Sequence, residues 1–265
     1  MTTQQAHRRF CYFALGTLAV ALALSVLRTL SLCLCFDTDI GYFRTGDALP
    51  RVLYIAEALA ALAAFCPLLL IKQDTLPREL LAPSLASLSG AGICGLFAIV
   101  LGGVLFSRVN ILSPVPVVFA ALLLFVGSAY FFLHFLDSKK RGTAPVWCGY
   151  ALILAALLLL CATYFDRYTP MNAPQKVSAH LALLSVMLYM LYELRFQVGR
   201  EQPRAFAVVA ALSFLACGVT GVSGVIGFFV GAGGDLLYLF IDLFALFFAF
   251  YVGARAADLC RERPM

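Results

Sequence analysis

Phe36-Asp37-Thr38-Asp39-Ile40-Gly41-Tyr42-Phe43-Arg44-Thr45-Gly46-Asp47-Ala48-Leu49-Pro50 is a polar, turn-rich stretch between two long apolar runs. Asp37 and Asp39 stop the run before it, because a charged carboxylate at the centre of a spanning helix costs roughly 2.5–3.5 kcal/mol on insertion scales. Gly41, Gly46 and Pro50 then break the chain before the next run starts. A second stretch of the same kind, Tyr164-Phe165-Asp166-Arg167-Tyr168-Thr169-Pro170-Met171-Asn172-Ala173-Pro174-Gln175-Lys176, follows the fifth apolar run. Both are expected on the outer face of a membrane, over the two halves of one helical bundle.

Working outward, the apolar runs number eight, at about 10–35, 52–71, 84–106, 117–136, 147–165, 178–196, 205–230 and 236–254. Each is near the roughly 20 residues that a spanning helix needs. The chain of 265 residues is 63% hydrophobic and 12% charged, against roughly 25% charged in a soluble domain. The expected fold is an all-α integral membrane protein, a bundle of eight transmembrane helices forming a single membrane domain over 1–265 with no soluble domain. The first run is longer than the core of a cleavable signal peptide and is interrupted by Arg28, so it reads as a span.

Charge sets the expected orientation. Arg8, Arg9, Lys72, Arg78, Lys139, Lys140, Arg141, Arg195, Arg200, Arg204, Arg255, Arg261 and Arg263 fall on the side of the N-terminus, and only Arg44, Arg51, Arg108, Arg167 and Lys176 on the other. The positive-inside rule then puts both termini in the cytoplasm. A plasma membrane, with a bacterial one as the default, is the expected location. The net charge of +5 is dispersed in short clusters that read as orientation signals, so nucleic acid is not an expected partner. The expected partners are the bilayer, a small polar ligand or ion, and a protein partner or further copies of the chain.

The two halves share a plan. At an offset of 126, Pro77 matches Pro203, Arg78 matches Arg204, Ser87 matches Ser213, Gly92 matches Gly218 and Gly95 matches Gly221. A duplication into 1–141 and 142–265 is the expectation, with the halves as parallel repeats about an axis along the membrane normal. The third and seventh runs are rich in small residues that let backbones approach in lipid. The fourth and eighth are aromatic.

Ionisable residues within spans are costly and mark cavities or partners. Arg28 lies ~12 Å and Glu57 ~9 Å below the outer face at 1.5 Å per residue, on consecutive antiparallel helices, so the two are expected to pair. Asp242 lies ~10 Å below the same face, and His180 begins the sixth run there. Arg28, Glu57, Asp242 and His180 are therefore the candidate substrate-binding residues, in an outer-leaflet pocket. Asp37, Asp39, Arg44, Asp166 and Arg167 in the two polar stretches are candidate gate or loop residues. His134, Asp137, Glu193 and Arg195 lie near the inner face and read as anchors, the long side chains snorkelling to the surface. The nine cysteines lie mostly in apolar runs and read as small buried side chains. Cys33 and Cys35 approach the outer face but point apart on a helix.

Two short motifs carry resemblances. Gly221-Val222-Ser223-Gly224 resembles the serine motif of rhomboid intramembrane proteases. That resemblance implies a histidine on a later helix to activate the serine, and no histidine follows His180. Ala232-Gly233-Gly234-Asp235 resembles the Gly-x-Gly-Asp motif of intramembrane aspartyl proteases, with Ala232 in place of the first glycine. It implies a second aspartate facing the first, whereas Asp242 is on the same helix. No zinc-protease helix, phosphate-binding glycine loop or paired Cys-x-x-Cys occurs, and no cofactor or metal site is expected. The reading is a carrier or membrane receptor for a small polar molecule. The alternatives are a non-catalytic scaffold or sensor acting through a protein partner, and an intramembrane enzyme.

Overall fold

The computed structural model describes residues 3–70, 83–109, 114–136, 142–166, 169–200, 202–232 and 235–259. Helix α1 covers Thr3–Cys35, and a two-residue antiparallel pairing of β1 (Phe36–Asp37) with β2 (Tyr42–Phe43) follows. Then come α2 (Ala48–Ala63), α3 (Cys66–Leu70), α4 (Leu85–Ser107), and α5 (Pro114–Phe132) with a 3-10 turn over Leu133–Phe135. The remaining helices are α6 (Ala144–Tyr164), α7 (Pro174–Gln197), α8 (Pro203–Phe229) and α9 (Leu236–Leu259). Among the described residues eight spans are long and apolar enough to cross a membrane, with α2 and α3 together making one of them. The protein is an all-α, multi-pass membrane protein.

Local chemistry explains the ends. Pro145, Pro174 and Pro203 stand in the first turns of α6, α7 and α8, where the missing N–H has no intrahelical partner to lose. Ser84 caps α4 by accepting the Ser87 N–H at 3.2 Å. The second span is expected as one run over 52–71 and is instead interrupted between Ala63 and Cys66. Pro67 cannot continue a helix whose previous turn would need its N–H, and it restarts the chain as α3. The hairpin was not expected; Gly41 makes its turn at φ 72°, a left-handed conformation open to glycine at no steric cost.

Six helices close into a ring, in the order α4, α5, α6, α7, α8, α9 and back to α4. Helix α1 lies outside the ring against α8, and α2 packs mainly on α1. Glycine makes five of the six ring contacts close. A Cβ would meet the Ala121 carbonyl oxygen at 3.2 Å from Gly102, Leu152 Cα at 2.9 Å from Gly127, Leu194 Cδ2 at 2.6 Å from Gly149, Leu246 Cα at 2.6 Å from Gly221 and Tyr251 Cα at 3.2 Å from Gly90. In lipid, helices associate through such packing and through hydrogen bonds. The sixth contact, α7 with α8, uses the second device: Ser213 Oγ donates to the Ser185 carbonyl at 2.8 Å and Thr220 Oγ1 to the Ser178 carbonyl at 3.4 Å. The connections fall at two ends, here called the hairpin end and the termini end. Arg108 just after α4 meets Asp235 before α9 at the first, and Ser84 before α4 meets Asp258 on α9 at the second.

Candidate functional site

Arg28 is buried in the hairpin-end half of α1. Its Nη1 donates to Glu57 Oε1 on α2 at 3.0 Å, and its Nη2 to the Pro174 carbonyl at the start of α7 at 2.9 Å. The expected pair therefore forms, and it ties the peripheral helices α1 and α2 to the ring. The Glu57 side chain is 27% exposed and that of Arg28 8%, so the pair is open from the Glu57 side. Tyr54, one turn before Glu57, lies where the charges of both residues act on its hydroxyl. Phe43 of the hairpin packs edge-on against Tyr54 at 6.3 Å and against Phe36 at 6.0 Å. An aromatic line thus runs from the hairpin down to the ion pair.

Asp242 reaches this region from α9. It is 6% exposed, and no hydrogen bond or ion pair to it occurs among the described residues. The Arg28 guanidinium is the charge that acts on it. Its carboxyl lies against the backbone of α8 at Gly224, where a Cβ would run into it. Leaving a buried polar group without a partner costs about 1–3 kcal/mol, and more for a charge. A carboxyl held this way inside a bundle is a site for a ligand group by default.

His180 does not join these three. Its Nε2 is 3.0 Å from Thr163 Oγ1, and its ring lies 6.2 Å from that of Tyr164, on the α6 side of α7. The polar stretches do meet: Gly41 lies against Pro170. Asp37 holds its own turn by accepting the Asp39 N–H at 3.0 Å. Asp39 and Arg44 are exposed. The Asp166 carbonyl accepts from Lys176 Nζ at 3.0 Å, and the Thr169 carbonyl does so at 3.3 Å. Arg167 lies outside the described residues.

At the termini end the structure assembles a centre that the sequence reading missed. Glu193, expected to snorkel, is 1% exposed. Arg255 on α9 pairs with Glu193 Oε1 at 3.4 Å and with Asp258 Oδ2 at 3.3 Å. Asp258 Oδ2 also accepts from Ser87 Oγ at 2.5 Å and from the Ser84 N–H at 3.2 Å. Tyr251 donates to Glu193 Oε1 at 2.7 Å, and His134 Nε2 lies 3.1 Å from the Tyr251 hydroxyl. His134 is buried too. Arg195 alone behaves as an anchor, bonding Gln202 at 2.7 Å beside the Tyr192 ring, while Asp137 lies outside the described residues. The helical period holds the missed signal. Ala182, Val186, Tyr189 and Glu193 share one buried stripe of α7, as do Phe244, Phe248, Tyr251, Arg255 and Asp258 on α9.

A cavity of about 550 Å³ opens near the termini end. Its lining, including Phe10, Phe13, Ala207, Ala211, Phe214 and Phe250, is apolar. Ser223 donates to the Val219 carbonyl of its own helix at 2.6 Å, and Gly221 and Gly224 serve close packing. Cys33 and Cys35 are free. Among the described residues no group of three metal-ligating side chains forms a metal site. The chain matches no family model, no curated protein and no solved structure at a significant level.

Proposed function

We propose that this polytopic membrane protein is a carrier or membrane receptor for a small polar molecule with a positively charged group, bound in the hairpin-end half. The observation that carries this reading is Asp242, nine-tenths buried and without a partner among the described residues. Asp242 receives the ligand's cationic group. Arg28, held in place by Glu57 and the Pro174 carbonyl, offers its guanidinium to a polar or anionic group on the same ligand. Asp37, Asp39 and Arg44 on the hairpin and Asp166 on the facing loop form the gate over it.

The test is a thermal-shift screen of the detergent-purified protein against amines, amino acids, nucleosides, sugars and ions. A ligand at ~100 times its dissociation constant adds about 2.7 kcal/mol. An upward shift that vanishes in Asp242→Asn supports the site. A shift that survives Asp242→Asn overturns it. A silent screen of folded protein overturns the carrier reading and favours a scaffold, to be followed by isolation of a co-purifying protein.

A further inference from the structure

The apolar cavity near the termini end lies between α1, which stands outside the ring, and the ring helices α8 and α9. It exists because its walls are too small to fill it. From Ala207 to Ala211 on α8 and from Gly253 to Ala257 on α9, every lining residue is alanine or glycine. Gly253 also seats the Phe214 ring, which a Cβ would meet at 2.9 Å. In the α1 wall the Thr17 hydroxyl donates to the Phe13 carbonyl of its own helix at 2.9 Å. A buried water needs two to four polar partners, and apart from that hydroxyl and the Cys11 thiol the lining side chains are hydrocarbon. The cleft opens sideways. Leu15 and Leu18 on α1 and Phe250 on α9 line it and are 62%, 42% and 48% exposed, and such a surface on a spanning helix faces lipid. On α1 the lining runs from Phe10 to Leu18, ~12 Å at 1.5 Å per residue. One leaflet's half of the hydrocarbon core is roughly 15 Å.

Two of the walls carry a cation at the termini end. Arg204 precedes Ala207 by three residues and Ala211 by seven, so it stands on the lining side of α8, one turn beyond the cavity. Its Nε is buried, and no hydrogen bond or ion pair to its side chain occurs among the described residues. On α1, Arg9 is exposed and directly precedes Phe10 of the lining. The two arginines are at one level. Helices α1 and α8 start at the same end and run parallel, and Leu32 lies against Gly227, a spacing of 195 (227 less 32). The same spacing sets Arg9 beside Arg204.

The geometry points to a binding site for one anionic phospholipid of the termini-side leaflet, with an acyl chain in the cavity and the phosphate against Arg204 and Arg9. An apolar cleft one leaflet deep that ends in two arginines complements a molecule with a long hydrocarbon tail and a negative head. The chain exchanges one hydrocarbon surrounding for another when it enters, since lipid tails are as apolar as the side chains that line the cleft. Selection therefore rests on the headgroup, through its attraction to basic residues at the membrane surface. Long Arg side chains suit this place, because the stem packs on apolar surface while the guanidinium reaches the interface. The site is separate from Arg28, Glu57 and Asp242, and it stands whatever that region binds.

The test uses the full chain in detergent, stripped of lipid and titrated with dioleoyl phosphatidylglycerol or dioleoyl phosphatidylcholine, with bound lipid read by native mass spectrometry. The acyl chains are the same, so a difference belongs to the headgroup. Phosphatidylglycerol is expected to bind at the lower concentration. Arg204→Gln is expected to weaken it by about fivefold, the effect of one basic residue near anionic headgroups, and to leave phosphatidylcholine unchanged. A phosphatidylglycerol with a photoreactive group on one chain is expected to label the lining peptides of α1, α8 and α9. Ala211→Phe, which fills the cavity, is expected to abolish that labelling. Ala257→Phe, on the exposed rim of α9, is the second filling variant should the first fail to fold, and the Arg204→Gln titration decides if neither folds. Equal binding of the two lipids overturns the proposal, as does an unchanged preference in folded Arg204→Gln. Labelling spread evenly around the bundle, or surviving in a folded filling variant, overturns it too. So does an unlabelled cavity, the result expected if a protein segment fills it instead.

Discussion

Near the hairpin end, Arg28 holds Glu57 and the Pro174 carbonyl and leaves Asp242 bare; near the termini end, Arg255 holds Glu193 and Asp258 together. Each place has one guanidinium and two carboxyls. The difference lies in what supports them. The termini-end centre is built from ring helices, and α4 adds the Ser87 hydroxyl and the Ser84 N–H to Asp258. The hairpin-end group leans on α1 and α2, which lie outside the ring, and one of its carboxyls is left open. The termini-end carboxyls are each bonded, Glu193 through Oε1 to Tyr251 and Arg255, and Asp258 through Oδ2 to Ser87, Ser84 and Arg255, although Glu193 Oε2 has no partner among the described residues. Asp242 has no bond at all among them, and a buried carboxyl of that kind is held at a cost and is available to a ligand.

The largest effects are expected where one guanidinium joins two buried carboxyls. Arg255→Gln leaves Glu193 and Asp258 without their shared guanidinium. Removing one partner of a buried pair costs about 3–5 kcal/mol, so loss of monodisperse protein on gel filtration, or a large fall in Tm, is expected. An unchanged Tm would mean that the network is not a keystone of the ring. Gly221→Ala comes next. Its Cβ would meet Leu246 Cα at 2.6 Å, backbone that cannot swing aside, and overpacking of this kind costs about 1–3 kcal/mol. Gly103→Ala, with nothing within 4 Å of the added Cβ, is the control that keeps its Tm.

At the hairpin end the ion pair is partly open, so Arg28→Gln and Glu57→Gln are each expected to cost about 1–3 kcal/mol, the penalty for an unsatisfied buried group. Together they are expected to cost less than the sum. A double-mutant cycle reads this directly: contacting residues couple by about 0.5–3 kcal/mol, and distant ones add within about 0.3–0.5 kcal/mol. Simple additivity would show that the contact carries no energy.

How much of this was legible follows from which coordinate a sequence encodes. Depth along a helix is arithmetic, and it brought Arg28 and Glu57 together on consecutive antiparallel helices. The same arithmetic put His180 at the right level and the wrong azimuth, since depth does not say which neighbour a helix turns a side chain toward; Thr163 on α6 holds it instead. Glu193 failed the other way. It sits near the end of α7 beside Arg195, and proximity to the surface was read as access to it. The helical stripe through Tyr189 and Val186 already pointed Glu193 inward, and Arg195, two residues on, outward. The eight spans were visible because a spanning helix must be apolar throughout, and the break before Pro67 was smoothed over for the same reason. Ring order was not visible. It depends on glycines such as Gly127 and Gly149 meeting one leucine each across a helix boundary, and many glycines have similar surroundings in sequence.

The smallest stability change is expected at the residue that matters most to the proposed function. In most buried networks Asp→Asn breaks bonds that the carboxylate accepted. Asp242 accepts none among the described residues, and Asn has nearly its shape, so Asp242→Asn should leave Tm within the range of a neutral substitution, about 0.5 kcal/mol either way. Gly224→Ala complements it. The added Cβ occupies the place of the Asp242 carboxyl, so it should displace that group at a cost of about 1–3 kcal/mol, and the cost should shrink when the smaller Asp242→Ala is present. Coupling between positions 224 and 242 would place the carboxyl against α8. A large loss of Tm in Asp242→Asn by itself would instead show that the carboxyl has a structural partner, and the contrast between an unbonded carboxyl at one end and bonded carboxyls at the other would fall with it.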